Sequence, residues 1–169
     1  NAVLQITSDN QINFYLPRSE MGQGAYTGLT TIVAEELNVD PARIHVLHAG
    51  KHDDYINPEF QFQATGGSNS LRIHFLPLRH LAANARQVIR QAAAQQLNLS
   101  LADIQTDNGN IIANGKIMPD GDFADHANSL PFPEDAPLTD KEQFKYIGKN
   151  THTLDGLQKA GSNTRSSSA

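Results

Sequence analysis

Two glycine-containing segments carry the residues of this chain that are best suited to bind a ligand. The first consists of Met21, Gly22, Gln23 and Gly24; the second consists of Thr65, Gly66, Gly67, Ser68, Asn69 and Ser70. Each segment precedes a predicted helix. Glycine lets a ligand approach the backbone, and the unpaired N–H groups of a first helical turn carry partial positive charge. This pattern indicates an anion-binding site formed by two loops.

The same residues also have a purely structural interpretation. Gly24 and Gly67 can satisfy turn geometry, and Ser68 can cap the helix that follows it. Neither segment is a P-loop, because no lysine follows the glycines, and neither has the G-x-G-x-x-G spacing of a dinucleotide site. For a single loop the structural interpretation is favoured, and two loops of similar construction in one small domain reduce that preference without deciding between the two.

A stripe of arginines is the second chemical feature. Arg72, Arg79, Arg86 and Arg90 follow one another at spacings of seven, seven and four, with no acidic residue between residues 68 and 97. On a helix these spacings place the four side chains along one face. Such a stripe can bind a phosphate or an acidic partner surface, or it can be a solvated helix face.

The remaining polar residues predict neither a catalytic residue nor a metal ligand. His45 and His48 lie three apart in a predicted strand and therefore point to opposite faces, and His52 follows outside it, so surface or packing roles are favoured. The chain has no Gly-x-Ser-x-Gly nucleophile motif. It also has no cysteine, which excludes a thiol nucleophile and a cysteine-ligated iron–sulfur cluster within these 169 residues.

The elements that position these residues follow a β-β-α-β-α-β-β order. Strands are predicted at 1–7, 11–16 and 43–49, with a hairpin turn at residues 8–10 and a second hairpin around Asn108-Gly109. One helix is predicted from Ala25 to Leu37, with Glu35 and Glu36 off its apolar stripe. A longer helix is predicted over residues 68–97, and it either kinks at Pro77 or begins there. The order predicts an α+β fold, a two-layer sandwich of a mixed or antiparallel sheet and two main helices on one face, followed by an extended tail.

A short internal similarity follows the two helices. Residues 37–44 and 97–104 share leucine, asparagine, alanine and isoleucine at the same places, and Asp40 and Ser100 can each cap a single helical turn before a strand. Two explanations are about equally favoured: duplication of a helix–turn–strand unit, or convergence of two similar connections.

Composition divides the chain near residue 118. Residues 1–118 are predicted to form the α+β domain, whereas residues 119–169 combine prolines with many acidic residues and end in a serine-rich stretch, which predicts an acidic connector and tail with little burial. The net charge of −5 argues against general binding of nucleic acid, and no apolar run approaches the ~18 residues of a membrane helix.

Several motifs in one order make the sequence resemble a known family. The motifs are Glu20–Leu29, Val33–Leu37, Ala64–Ser70, Pro77–Arg79, Ala82–Arg86, Phe144–Lys149 and Leu154–Lys159. Together they resemble the molybdopterin-binding large subunit of the xanthine dehydrogenase and aldehyde oxidoreductase family, most of all the isoquinoline 1-oxidoreductase beta-subunit type, which is often labelled aldehyde dehydrogenase. The resemblance spans roughly residues 1 to 160.

The resemblance implies a role for both glycine segments. It implies that Met21–Gly24 contacts the pterin and the molybdenum ligands, and that Thr65–Ser70 supplies donors to the pyranopterin and its phosphate. It also implies molybdopterin, expected as a dinucleotide, a partner small subunit that carries [2Fe–2S] clusters, and hydroxylation of aldehydes or N-heterocycles. The alternative is a stand-alone, non-catalytic module that binds an anionic ligand or a protein partner.

The chain also departs from the family pattern. The family's large subunit is several times longer, and the Gly-Glu-Pro-type motif that carries its catalytic glutamate does not occur in these residues. We therefore expect a fragment whose partner is the remainder of the large subunit, and which alone is inactive and holds no cofactor. The resemblance leaves the compartment open, periplasmic or cytoplasmic in a bacterium.

Overall fold

The computed structural model describes residues 3–17, 23–49, 61–63 and 71–148 of the chain. Within these residues the strands are β1 (Val3–Ile6), β2 (Ile12–Pro17), β3 (Ile44–Ala49), β4 (Gln61–Gln63), β5 (Gln105–Asp107), β6 (Asn110–Ala113) and β7 (Lys116–Pro119). The α-helices are α1 (Gln23–Leu37), α2 (Leu71–Leu97) and α3 (Ala124–Asn128). The predicted α+β class is confirmed. Pro77 lies inside α2, so the alternative that the helix begins at this proline is wrong.

The first four strands form one mixed sheet in the order β3-β2-β1-β4. β1 is antiparallel to both of its neighbours, with Leu4 opposite Phe14 on one side and opposite Phe62 on the other. β2 and β3 are parallel, which the intervening helix α1 makes possible. The predicted first hairpin is confirmed, whereas β4 is a strand that the sequence pattern did not predict.

The core lies between one face of this sheet and the two long helices. Alternate strand residues such as Leu4, Ile6 and Phe14 are fully buried together with Leu29 and Val33 of α1 and Leu78, Ala85 and Val88 of α2. α1 and α2 also pack directly against each other. The alternation of strand residues and the helical spacing of the apolar residues thus both identify the faces that are buried.

Both long helices end in the same way. Asn38 and Asn98 directly follow α1 and α2 with positive φ angles of 61° and 58°. The backbone N–H groups of the next residues, Val39 and Leu99, donate to carbonyl oxygens five residues earlier, the pattern of a Schellman motif. Asp40 and Ser100 then cap short 3₁₀ turns, as predicted. The two units share local geometry, but the strands that follow belong to different sheets.

The second sheet is a three-stranded antiparallel meander, β5-β6-β7. Its first turn, Asn108-Gly109, has φ angles of 49° and 82°, which suits a two-residue hairpin and confirms the predicted turn. Asn114-Gly115 forms the next turn with angles of 53° and 73°. β7 was not predicted, although this second Asn-Gly pair was a usable signal.

The segment after β7 packs against the domain. Phe123, Ala124, Ala127 and Ala136 are buried, and α3 contacts α2. The prediction of little burial is therefore wrong for residues 120–127 and for Ala136, whereas no residue from 137 to 148 is buried. The division of the chain at residue 118 stays a prediction.

Residues 136–147, which we call the crossing segment, run from α2 to the end of α1 and are held by helix side chains. Asn84 of α2 accepts a hydrogen bond from the N–H of Ala136 at 2.9 Å. Arg79 donates to the carbonyl oxygen of Thr139 at 2.7 Å, and Glu36 accepts from the Thr139 N–H and hydroxyl, each at 3.0 Å. Polar helix side chains therefore supply hydrogen-bond partners to backbone groups of this segment, which is irregular outside the 3₁₀ turn Lys141–Gln143.

Glu35 completes this attachment at the end of α1. Its carboxylate accepts hydrogen bonds from three successive backbone N–H groups, those of Lys145, Tyr146 and Ile147, at 2.9, 2.7 and 2.9 Å. Glu35 and Glu36 lie off the apolar stripe as predicted, yet both are buried. Their partners in the crossing segment lie more than a hundred residues further along the chain.

The described arginines of the predicted stripe anchor the chain itself. Arg79 is buried against Glu36, Arg86 donates to the carbonyl oxygen of Pro137, and Arg90 donates to those of Leu101 and Ile104. Burial lowers the pKa of the Arg86 guanidinium, and the nearby Glu36 carboxylate opposes that shift. The interpretation as a solvated face is wrong for Arg79, whereas the side chain of Arg72 lies outside the described residues.

Asp120 is a buried acid where the two sheets meet. Its N–H donates to the carbonyl oxygen of Gly109, and the N–H of Gly121 donates to Asn10 in the first hairpin turn. Within the described residues its Oδ1 atom has no hydrogen-bond partner. Burial raises the pKa of Asp120 from 3.8 to about 7, and the charge of Arg43 opposes this rise.

Replacing Asp120 by asparagine is expected to remove a pH dependence of stability. The pKa in the folded chain, about 7, exceeds the ordinary 3.8, so the free energy of unfolding falls as the pH rises between these values and stays low above them. Asp120→Asn should therefore be more stable than the unaltered chain at pH 8, by up to about 4 kcal/mol, with a gap that narrows toward pH 4. Urea unfolding at several pH values measures this. Asp122→Asn, at an exposed position, is the control. If both variants changed the free energy of unfolding equally at every pH, the prediction would be contradicted.

Replacing Glu35 by alanine is expected to detach the end of the crossing segment. Three N–H groups would lose a charged acceptor, which should reduce the free energy of unfolding by about 2–4 kcal/mol. Limited proteolysis followed by mass spectrometry should show faster cleavage between residues 139 and 148. Glu142→Ala, at an exposed position of the same segment, serves as the control. Equal cleavage rates in both variants would show that Glu35 does not hold the segment.

Candidate functional site

The strands that lead into the two glycine segments end at the same edge of the first sheet. β2 and β4 are both antiparallel to β1, so they run in the same direction. Tyr15 and Gln63 both lie opposite Val3, one on each side, and are therefore level in the sheet. With one strand between them, they are about 10 Å apart. We call the edge at which β2 and β4 end the carboxyl edge.

The helices that follow begin at this edge. Because β3 is parallel to β2, α1 must run back across the sheet, and its first residue, Gln23, lies toward the carboxyl edge. α2 begins at Leu71, and its connection from Gln63 is only slightly longer than the connection from Pro17 to Gln23. Open sheets with this construction bind ligands beyond the ends of their parallel strands. The topology thus brings the described ends of β2 and β4, after which the two glycine segments follow in the sequence, to one edge.

The charges at the helix starts suit an anion. Neither α1 nor α2 has an acidic residue in its first turn. Arg72 is the second residue of α2, and Gly24, which has no Cβ, is the second residue of α1. The first-turn N–H groups of both helices therefore carry partial positive charge toward the carboxyl edge, without a competing carboxylate from their first turns.

The predicted site residues are described only in part. Gln23 and Gly24 form the beginning of α1. Met21 and Gly22, and all of Thr65, Gly66, Gly67, Ser68, Asn69 and Ser70, lie outside the described residues. The contact of these residues with a cofactor stays a prediction. The positions of β2, β4, α1 and α2, which flank the two segments in the sequence, are consistent with it.

Three polar residues on the second face of the sheet were not predicted. Gln5, Asn13 and Tyr15 alternate with the core residues, so they point away from α1 and α2, and all three are buried. Gln5 accepts hydrogen bonds from Asn13 at 2.9 Å and from the Tyr15 hydroxyl at 3.4 Å. Burial raises the pKa of Tyr15. The alternation of Ile12, Asn13, Phe14 and Tyr15 was the signal that could have identified this polar face.

The described residues form neither a metal-binding cluster nor a membrane-spanning helix. Across the parts of the chain that the structure describes, no group of three or more His, Asp or Glu side chains is arranged to hold a metal ion. His45 is exposed on β3, and His52 lies outside the described residues. No helix in the described ranges is both long and apolar enough to cross a membrane.

Residues 1–165 match the family of molybdopterin cofactor-binding domains. The chain belongs to this family. The beta subunit of isoquinoline 1-oxidoreductase from Brevundimonas diminuta is 31% identical over 139 residues, which cover 81% of this chain and 18% of that protein. The B subunit of nicotinate dehydrogenase from Pseudomonas putida is 29% identical over 154 residues, which cover 90% of this chain and 13% of that protein.

A solved structure shares the fold of this molybdopterin cofactor-binding domain. Quinoline 2-oxidoreductase from Pseudomonas putida 86 superimposes with a TM-score of 0.52 at 19% identity, over 81% of this chain and 18% of that chain. This domain therefore spans less than a fifth of the length of each of these three proteins. The family that the sequence motifs resemble is confirmed.

The two glycine segments of this molybdopterin cofactor-binding domain are expected to lie within cross-linking distance. Since the native chain has no cysteine, the pair Met21→Cys and Ser70→Cys can be joined specifically by a bis-maleimide. A linker that spans about 10–15 Å is chosen because β2 and β4 are separated by one strand and therefore lie about 10 Å apart. Mass spectrometry should show one linker bridging both cysteines in most molecules. The pair Met21→Cys and Ser129→Cys, with Ser129 exposed after α3, serves as the comparison. Equal yields for the two pairs would contradict a shared site.

Proposed function

We propose that this domain contributes two loops to the molybdopterin site of a larger oxidoreductase that hydroxylates aldehydes or N-heterocycles. The observation that carries the proposal is the convergence of β2, β4, α1 and α2 on the carboxyl edge. Family membership supplies the identity of the ligand. The names of the two relatives, which refer to isoquinoline and nicotinate, favour an N-heterocycle as the substrate class.

The chemistry of the carboxyl edge fits this cofactor. A phosphate-bearing ligand needs N–H donors and a positive local potential, and two helix N-termini without acidic residues in their first turns supply both. Glycine at the start of α1 allows a large rigid ring system to approach the backbone. The residues present therefore suit the phosphate and one edge of a pterin.

Each loop has a distinct role in this proposal. Gln23, with Met21, Gly22 and Gly24, binds the pterin and the groups around the metal through its side-chain amide and the backbone. The stretch from Thr65 to Ser70 binds the phosphate through backbone N–H groups and hydroxyls. When bound, the cofactor supplies transfer of a water-derived oxygen atom to the substrate carbon and accepts two electrons. The chain's own residues hold and orient it.

The reaction needs partners that these residues do not supply. The electrons must leave through a redox relay, and a chain without cysteine cannot ligate a [2Fe–2S] cluster through thiolates. We therefore assign the clusters to a partner small subunit, and the catalytic glutamate of the Gly-Glu-Pro-type motif to the remainder of the large subunit. The dinucleotide form of the cofactor is part of the same proposal, since an added nucleotide phosphate would extend the anionic group.

The domain by itself is expected to bind the cofactor weakly. A few loop hydrogen bonds, each worth about 1 kcal/mol net, fall short of the roughly 4–15 kcal/mol that association costs. In the complete oxidoreductase, the other loops around the cofactor share this cost.

The test compares residues 1–169 with the complete oxidoreductase that contains them. Molybdenum and pterin content, together with dye reduction by isoquinoline, nicotinate or an aldehyde, should be present in the complete protein and absent from the short chain. Gln23→Ala in the complete protein should lower cofactor content, whereas Gln105→Ala, at an exposed position of β5, should not. A complete protein that binds no molybdopterin would overturn the proposal and would favour a non-catalytic binding module.

A further inference from the structure

The contact between α1 and α2 contains a buried ion pair. Arg79 Nε donates to Glu36 Oε2 at 2.9 Å, with Glu36 fully buried and Arg79 only 7% exposed. Arg79 also stacks over the ring of Phe144, with its guanidinium carbon 5.3 Å from the ring centre. Both partners hold Thr139 of the crossing segment. The pair therefore joins three elements at one point.

Stability of α1 alone does not explain an acid at this position. Glu36 lies in the last turn of α1, where the helix dipole disfavours a negative charge. A buried ion pair also bears a large desolvation cost, so that apolar residues of similar volume often give a protein of equal or greater stability. Buried charged groups are best attested as devices that select one arrangement among several.

The packing of α1 against α2 around this pair does not by itself fix one position of α1 along α2. Next to Arg79, the buried residues of α2 are the small Ala82, Ala83 and Ala85 together with the larger Leu78 and Leu81. Small side chains form shallow ridges, and shallow ridges constrain the sliding of one helix along another only weakly. A slide of one turn would displace the helix starts relative to each other by about 5 Å.

We propose that the Glu36–Arg79 pair fixes the position of α1 along α2 and thereby the spacing of the two helix starts, Gln23 and Leu71. Glu36 and Arg79 are positioning residues in this proposal, because they act through the helices and do not touch the ligand. That the spacing matters for molybdopterin rests on the function proposed above. The spacing itself is a property of the chain that can be measured without any cofactor.

The experiment measures a distance between the two helix starts. Thr27→Cys on α1 and the half-exposed Leu76→Cys on α2 are spin-labelled in the purified 169-residue chain, in which they are the only cysteines. Pulsed electron paramagnetic resonance should give one narrow distance distribution. With Glu36→Leu and Arg79→Met added, the distribution should broaden or shift by about 5 Å in a chain that still unfolds cooperatively.

Two controls separate positioning from general damage. Lys141→Met with Glu142→Leu removes one charge of each sign from exposed positions and should leave the distribution narrow. If the apolar pair does not fold, Glu36→Gln, which keeps the shape and removes the charge, should broaden the distribution instead. An unchanged narrow distribution in the folded apolar pair, or in Glu36→Gln where the pair does not fold, would overturn the proposal.

A second readout links the distance to the ligand. In the complete oxidoreductase, the apolar pair should lower molybdopterin content at least tenfold, whereas Arg79→Lys, which retains the charge, should restore part of it. Broadening of the distance without loss of cofactor would overturn the link between spacing and binding. If the unaltered complete protein holds no molybdopterin, the proposed function fails, while the distance measurement still decides the proposal about Glu36 and Arg79.

Discussion

The buried carboxylates at the end of α1 are the interaction on which the helical layer depends. Glu36 meets the guanidinium of Arg79 on α2, and Glu35 meets three backbone N–H groups of the crossing segment. Charges with this degree of burial are tolerated only when their hydrogen bonds are nearly complete. The carboxylates therefore require α2 and the crossing segment to take these positions, and the sheet then aligns the starts of both helices with the carboxyl edge.

Local sequence signals predicted the parts of the fold that depend on local physics. The Asn108-Gly109 turn and the caps at Asp40 and Ser100 are all present, because turn and cap chemistry involves only a few neighbouring residues. β4, with three residues, is too short to show a pattern. β7 shows that a usable signal, Asn114-Gly115, can be overlooked when composition suggests that a domain has already ended.

Long-range partners explain the other differences. The periodicity of α1 places Glu35 and Glu36 off the apolar face, and no local pattern indicates that residues 139–147 will cover them. The same holds for Arg79, whose position in a basic stripe suggested solvent or a ligand. For the candidate site, the glycine segments were found from residue type and the family from motif order. The common edge required the strand directions, since the register of Tyr15 and Gln63 against Val3 is a property of the pairing alone.

The separation between the carboxylates and their partners also bears on synthesis of the chain. Glu36 and Thr139 are 103 residues apart, and Glu35 and Ile147 are 112 apart. At roughly 5–20 residues per second, a ribosome needs about 5–20 s to add the partners after α1 has been made. During that interval the end of α1 must stay hydrated and cannot take its final place, because an unpaired carboxylate resists burial. The helical layer of a growing chain is therefore completed only after the crossing segment has left the ribosome.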